Sequence, residues 1–202
     1  MNEPDGSRKY SRRAVPGVII CPSCAGPLKP DSKWCPRCSF TGSRTLELFP
    51  HAPPPLLPVL DAVGLLDDAG VRRVESAREK LKKKFPQFHW RVCLVHLPED
   101  IQLPVFGFWL LNTCPFQAKE TLEDRAWTVL LLINTGSGDA AVVPGYAAEP
   151  YLSNDDWKVA LEAMKQKWRE RNPSEAIIDF FKSSRSQLEH AWRRYGARVQ
   201  AR

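Results

Sequence analysis

Trp127-Thr-Val-Leu-Leu-Leu-Ile133, then Asn134-Thr-Gly-Ser-Gly138, then Asp139-Ala-Ala-Val-Val143 is the stretch that decides the fold. The first run is almost wholly apolar, of strand length, and far too short to cross a membrane. An uninterrupted apolar run of this size is expected of a central strand covered on both faces. The Asn/Gly/Ser segment after it is turn chemistry, so the two apolar runs are expected to pair as a hairpin.

Working outward, Asp67 to Phe85 carries Val71, Val74, Ala77, Leu81 and Phe85 on one helical stripe. Asp67 and Asp68 suit its start, and the lysines at 82–84 its end, through the helix dipole. Trp90 to Leu97 alternates as a strand does, with Val92, Leu94 and His96 on one face and Cys93, Val95 and Leu97 on the other. Residues 102–112 read as a buried helix. Ser153-Asn-Asp-Asp156 caps a helix to about Arg171, and Asn172-Pro173 opens a last helix through about Val199. The order is helix, strand, helix, hairpin, helix, helix. It predicts an α/β domain, a small mixed sheet with helices on both faces.

Ahead of this domain stand Cys21-Pro-Ser-Cys24 and, ten residues on, Cys35-Pro-Arg-Cys38. Each pair folds into a tight turn, and two such turns close a tetrahedral cage around one Zn²⁺. The competing readings are two disulfides or four free thiols. Residues 1–20 are charged and broken by Pro16 and Gly17, with no secretory apolar segment, so an oxidising compartment has no support. Four thiolates leave no open coordination position, so the metal is expected to be structural. The pattern resembles short zinc ribbons of many bacterial and archaeal proteins. Those ribbons usually carry Gly after the second Cys of each pair, where the chain needs a left-handed turn; here Ala25 and Ser39 stand there. Trp34 is expected to pack over the site, and Lys29, Asp31 and Lys33 mark the ribbon tips as a contact surface.

The expected organisation is a disordered basic arm over 1–17, the zinc ribbon over 18–47, a Pro-rich linker over 48–58 and the α/β domain over 59–202. His51-Ala-Pro-Pro-Pro-Leu-Leu-Pro58 is expected to hold the ribbon off the domain. The net charge of +6 gathers at the ends: residues 1–47 carry eight Lys/Arg against four Asp/Glu, and residues 173–202 six against three. Nucleic acid is therefore a candidate partner, but solvated helix faces explain the excess as well. Without an export signal or an apolar span, the expected compartment is the cytoplasm.

Three phrases, in order, carry a family resemblance: Val59-Leu-Asp61-Ala-Val-Gly64-Leu-Leu-Asp67, Val129-Leu-Leu-Leu-Ile133, and Val143-Pro-Gly145-Tyr146-Ala-Ala-Glu149-Pro-Tyr-Leu152-x-x-Asp155. Over about residues 57 to 190 the chain resembles the TPM domain. That family includes thylakoid-lumen proteins linked to photosystem repair and bacterial proteins of largely unknown role. Some of its members look like acid phosphatases or divalent-cation binders, with acidic residues at strand ends. The resemblance implies Asp61, Asp124 and Asp155 (or Asp156) as ligands for Ca²⁺ or Mg²⁺, with Glu149 a weaker further candidate. It also departs from the family, which commonly has Gly just before the central strand where Trp127-Thr128 stands here. The plainer reading gives Asp67, Asp155 and Asp156 to helix capping and leaves Asp61 solvated.

No histidine sits at ligand spacing from a carboxylate or a cysteine in the sequence, and Cys93 and Cys114 read as small buried hydrophobes. Residues 134–138 lack the lysine and following helix of a phosphate-binding loop. Trp157, Trp168 and Trp192 are expected to pack in the core rather than stack on bases. The functional expectation is a non-enzymatic interaction protein: a zinc ribbon tethered to a TPM-like domain that binds a protein partner or a divalent cation. The alternative is a metal-dependent phosphatase.

Overall fold

A computed structural model of the chain describes residues 19–29, 32–115, 117 and 120–200. The arm over 1–17 and Asp31 lie outside them. In chain order the elements are β1 (Ile19–Ile20), β2 (Pro27–Leu28), α1 (Arg44–Leu48), β3 (Val59–Asp61), α2 (Asp68–Lys84), β4 (His89–Val95), α3 (Leu103–Thr113), α4 (Leu122–Ala126), β5 (Thr128–Asn134), β6 (Ala140–Pro144), a single 3-10 turn (Glu149–Tyr151), α5 (Asn154–Arg169) and α6 (Pro173–Gln200).

The main sheet runs β3-β4-β5-β6. The first three strands are parallel, and β6 closes the edge antiparallel through the expected hairpin. Every residue of β5 is buried, as a continuous apolar run requires. Its side chains divide by parity: Val129, Leu131 and Ile133 join one core, Leu130 and Leu132 the other. β4 does the same, with Val92 and Leu94 on one side and Cys93 and Val95 on the other. Helices α2, α5 and α6 cover the first face, where Val74, Trp157, Met164, Ile177 and Phe180 are buried. Helix α3 covers the second with Trp109, Leu110 and Leu111. The α/β architecture with helices on both faces is the one expected.

Several short elements escaped sequence reading, among them β3, α1 and α4. β3 has three residues, too few for an alternation to register. Helices α1 and α4 have five residues each, below the length at which periodicity is readable. His96 and Leu97, read as the end of the β4 strand, lie past it, and His96 is exposed.

The proline-rich segment does not hold the ribbon away. Leu56 is buried among Cys93, Leu110 and Leu132. Its carbonyl accepts hydrogen bonds from the Arg91 guanidinium and, at 2.9 Å, from the Gln117 amide. Arg91 and Arg125 both pair with Glu120, at 3.2 and 3.3 Å. The ribbon itself packs on α3: Cys21, Cys35 and Phe40 form a small core with Val105, and the Phe40 and Phe108 rings meet edge to face at 5.8 Å. A polyproline stretch is stiff, but an apolar residue within it still goes where burial is available.

Candidate metal centre

The two cysteine pairs sit in two loops built to one plan. In the first, Ala25 N–H donates to the Cys21 carbonyl and Cys21 N–H to the Gly26 carbonyl; in the second, Ser39 N–H donates to Cys35 and Cys35 N–H to Phe40, all at 2.8–2.9 Å. Each loop turns through a left-handed residue, Ala25 at φ 53° and Ser39 at φ 58°. These are the positions where ribbons usually carry Gly. The chain keeps the turn and bears the steric cost of a Cβ there, on the order of 1–2 kcal/mol per residue. Strands β1 and β2 brace the first loop, Ile19 against Leu28 and Ile20 against Pro27.

The result is a cage. All four Sγ atoms lie within 4.8 Å of one another, with Cys21–Cys38 and Cys24–Cys35 at 3.7 Å. A tetrahedron with metal–sulfur bonds of 2.3 Å has edges of about 3.8 Å, so the donor set fits zinc. A disulfide needs sulfurs about 2.05 Å apart, and all six cysteines are free. Burial pushes the Cys21 thiol up to about 12. Burial also acts against ionising Cys35, but the N–H groups of Arg37 and Cys38 together with the Cys24 and Cys21 thiols outweigh it and bring that thiol down to about 7. Trp34 does not cover the site: it is 61% exposed.

Among the described residues, the cysteines are the cluster of His, Cys, Asp and Glu close enough to hold a metal. The acidic residues go elsewhere. Asp61 ends β3, where its carboxylate accepts from the N–H groups of Val63 (3.2 Å) and Leu66 (2.6 Å). Asp124 closes a capping box with Thr121 at the start of α4. Asp155 is exposed and pairs with Lys158 at 3.0 Å. Asp156 closes a second capping box with Ser153, and Asp67 caps α2. Sheet register separates the first two. Asp61 stands level with Leu94 and Ile133 at the carboxyl end of the parallel strands, whereas Asp124 precedes Thr128 at their amino end. The five steps from Thr128 to Ile133 span roughly 17 Å. Asp61 and Asp124 therefore do not converge on one ion.

Two contacts that the sequence does not show do matter. His89 Nε2 lies 3.2 Å from Asp124 Oδ1. Burial keeps the imidazole below its usual range, and hydrogen bonds from Thr121 hold Asp124 below the carboxylate range. The two are far apart in sequence and meet only through the β4–β5 pairing. Glu149, a weaker ligand candidate in the sequence, instead joins the two parts of the molecule: its Oε1 accepts the Ile20 N–H at 2.8 Å. Burial raises this carboxyl to about 7. Cys93 is fully buried, its thiol pushed up to about 12 by burial, in keeping with a small hydrophobe.

No curated protein matches the chain. Solved structures share its fold. The N-terminal domain of the cg2496 protein from Corynebacterium glutamicum superposes with a TM-score of 0.50 at 11% identity, covering 65% of this chain and 79% of that one. The N-terminal domain of a protein from P. gingivalis gives 0.50 at 16% identity, covering 73% and 88%. Residues 59–187 match the family model of the TPM domain. That span holds the whole four-stranded sheet, both of its faces and the three phrases that carry the resemblance, and the chain belongs to the TPM domain family.

Proposed function

We propose that this chain is a zinc-bearing, non-enzymatic interaction protein, in which a ribbon and a TPM domain together present a surface to a protein partner. One observation carries this reading. The four thiols form a closed cage seated on the TPM domain through Val105 and Phe108, while the acidic residues expected to bind a second metal are engaged in turns, caps and surface ion pairs. A closed four-thiolate site orders a surface and performs no hydrolysis. Six unpaired cysteines and a thiolate metal site support a reducing compartment, the cytoplasm. No helix among the described residues is long and apolar enough to cross a membrane.

The test is the metal content of protein purified without added metal, then titration with Ca²⁺ and Mg²⁺ while melting is followed. The expected result is one zinc per chain, no shift with either cation and no hydrolysis of p-nitrophenyl phosphate. A saturable rise in melting temperature would establish a second cation site. Chelator-sensitive hydrolysis that Asp61→Ala or Asp124→Ala abolishes without unfolding would replace this reading with a phosphatase.

A further inference from the structure

Between the ribbon and the free side of the main sheet runs a cleft of about 730 Å³. Its walls come from three directions. Ile19 and Ile20 are from β1, Phe108 from the layer on one face of the sheet, and Tyr151 and Trp157 from the layer on the other. Val142, Val143 and Pro144 of β6 also line it. A cleft that touches both covering layers and the last strand lies along the edge of the sheet.

That edge has hydrogen-bonding capacity to spare. Asn134 N–H donates to the Asp139 carbonyl at 2.8 Å and Gly145 N–H to the Thr128 carbonyl at 2.7 Å. In an antiparallel ladder the bonded residues alternate, so Asp139, Ala141, Val143 and Gly145 face β5, while Ala140, Val142 and Pro144 face outward. Among the described residues, nothing bonds to the outward N–H and C=O groups of Ala140 and Val142. Charge at the cleft also runs against the molecule as a whole. The chain carries +6, yet the described residues lining the cleft include Glu149, Asp155 and Asp156 and no lysine, arginine or histidine.

We infer that this cleft is a docking site for an extended basic peptide segment of a partner protein, added as a further strand on the β6 edge. The outward N–H and C=O groups of Val142, on the cleft, and of Ala140, just beyond it, pair with the peptide backbone, the apolar walls take alternate side chains, and exposed Asp155 exchanges its surface partner Lys158 for a lysine or arginine of the peptide. Pro144, which has no N–H, marks where the pairing stops. This rests on the interaction reading above. A peptide that fails to bind sinks the cleft alone, whereas partner binding lost only on disrupting the cysteines concerns the ribbon.

The experiment is titration of the full, zinc-loaded chain with a short acetylated peptide alternating valine and lysine, followed by backbone amide NMR. Saturable binding with shifts centred on Ala140 and Val142 is expected. A valine–glutamate counterpart should bind about tenfold more weakly, and the basic peptide N-methylated at its valines should lose binding. Asp155→Asn, which leaves the Ser153–Asp156 cap intact, should weaken the basic peptide several-fold. Equal binding of the two charge forms, undiminished binding after N-methylation, or shifts centred away from β6 would overturn the inference.

Discussion

The ribbon and the TPM domain sit against each other but hold together by opposite means. Around the cysteine cage the buried apolar side chains are Cys21, Cys35 and Phe40, completed by Val105 borrowed from α3. The TPM domain instead sandwiches a four-stranded sheet between two cores, one of which buries Trp90, Ile133, Ile177 and Phe180 and the other Leu110, Leu130 and Leu132. A segment of about thirty residues cannot bury enough apolar surface to offset its chain entropy, so in the zinc-bearing protein proposed above coordination takes over that task. The lesson is about failure: the ribbon should be lost all at once with its metal, and the domain only piecemeal through its packing.

Metal removal gives the largest effect. Structural zinc is worth about 10–16 kcal/mol in zinc-finger peptides, as much as the whole stability of an ordinary domain. Chelation, or Cys35→Ser, should unfold residues 19–48 and leave the sheet standing. Hydrogen exchange would show loss of protection at Cys21 and Cys35 amides with β5 amides still protected. If β5 exchanged at the same rate as the ribbon, the two regions would be one cooperative unit and the contrast would be wrong.

Within the domain, Gly145→Ala should do the most harm. A Cβ there would stand 2.5 Å from the Ala126 carbonyl oxygen and 2.6 Å from that of Arg125. Both obstacles are backbone, so no side-chain rotation relieves them. Overpacking of this kind costs about 3 kcal/mol, read as a lower denaturant midpoint, while zinc stoichiometry stays unchanged. Equal stability of the variant would show that the α4–β5 corner shifts freely.

How much of this was readable beforehand follows from the same contrast. The cysteine cluster was legible because its four thiols lie in two local pairs, and the core strands because burial on both faces leaves a continuous apolar run in β5. The docking of Leu56 was not legible: an isolated leucine among prolines has no period, and its burial depends on the space between β4 and α3. The His89–Asp124 pair and the Glu149–Ile20 bond were likewise hidden, since tertiary pairing alone joins residues so far apart in sequence. For the acidic residues the sequence supplied both readings. The geometry puts Asp124 and Asp156 in capping boxes because each stands three residues after a Thr or Ser whose hydroxyl reaches back to it.

Glu149 lets the junction between the two regions be weighed by pH. Its folded value, about 7, lies above the ordinary 4.5, so between those limits the folded chain binds more protons than the unfolded one. Stability from this group is therefore complete below pH 4.5 and is lost as pH rises through 7. Partial exposure limits the loss to about 2 kcal/mol. Tyr146, Asp155 and Asp156 also line the cleft, but the tyrosine, raised by burial, ionises above the window. Glu149→Gln keeps an acceptor for the Ile20 N–H and removes the titration. The slope of stability between pH 5 and 7 in zinc-loaded protein should flatten in that variant, and an unchanged slope would assign it to other groups.

The smallest effect separates two neighbours on α5. Asp156 accepts from the Ser153 N–H at 2.8 Å and from its hydroxyl at 2.7 Å, while Ser153 Oγ accepts the Asp156 N–H at 3.2 Å. Asp155, one residue earlier, makes an exposed ion pair with Lys158. Asp156→Ala therefore removes half of a capping box and should cost about 1 kcal/mol, whereas Asp155→Ala should fall within about 0.5 kcal/mol of the parent. Thr121→Ala, at the other capping box, should resemble Asp156→Ala. These differences concern helix starts on the TPM domain, so they should be the same with zinc present or removed. Were the cost of Asp155→Ala instead to grow when Ca²⁺ or Mg²⁺ is added, that residue would be a ligand, and the division between a metal-built ribbon and a packing-built domain would no longer hold.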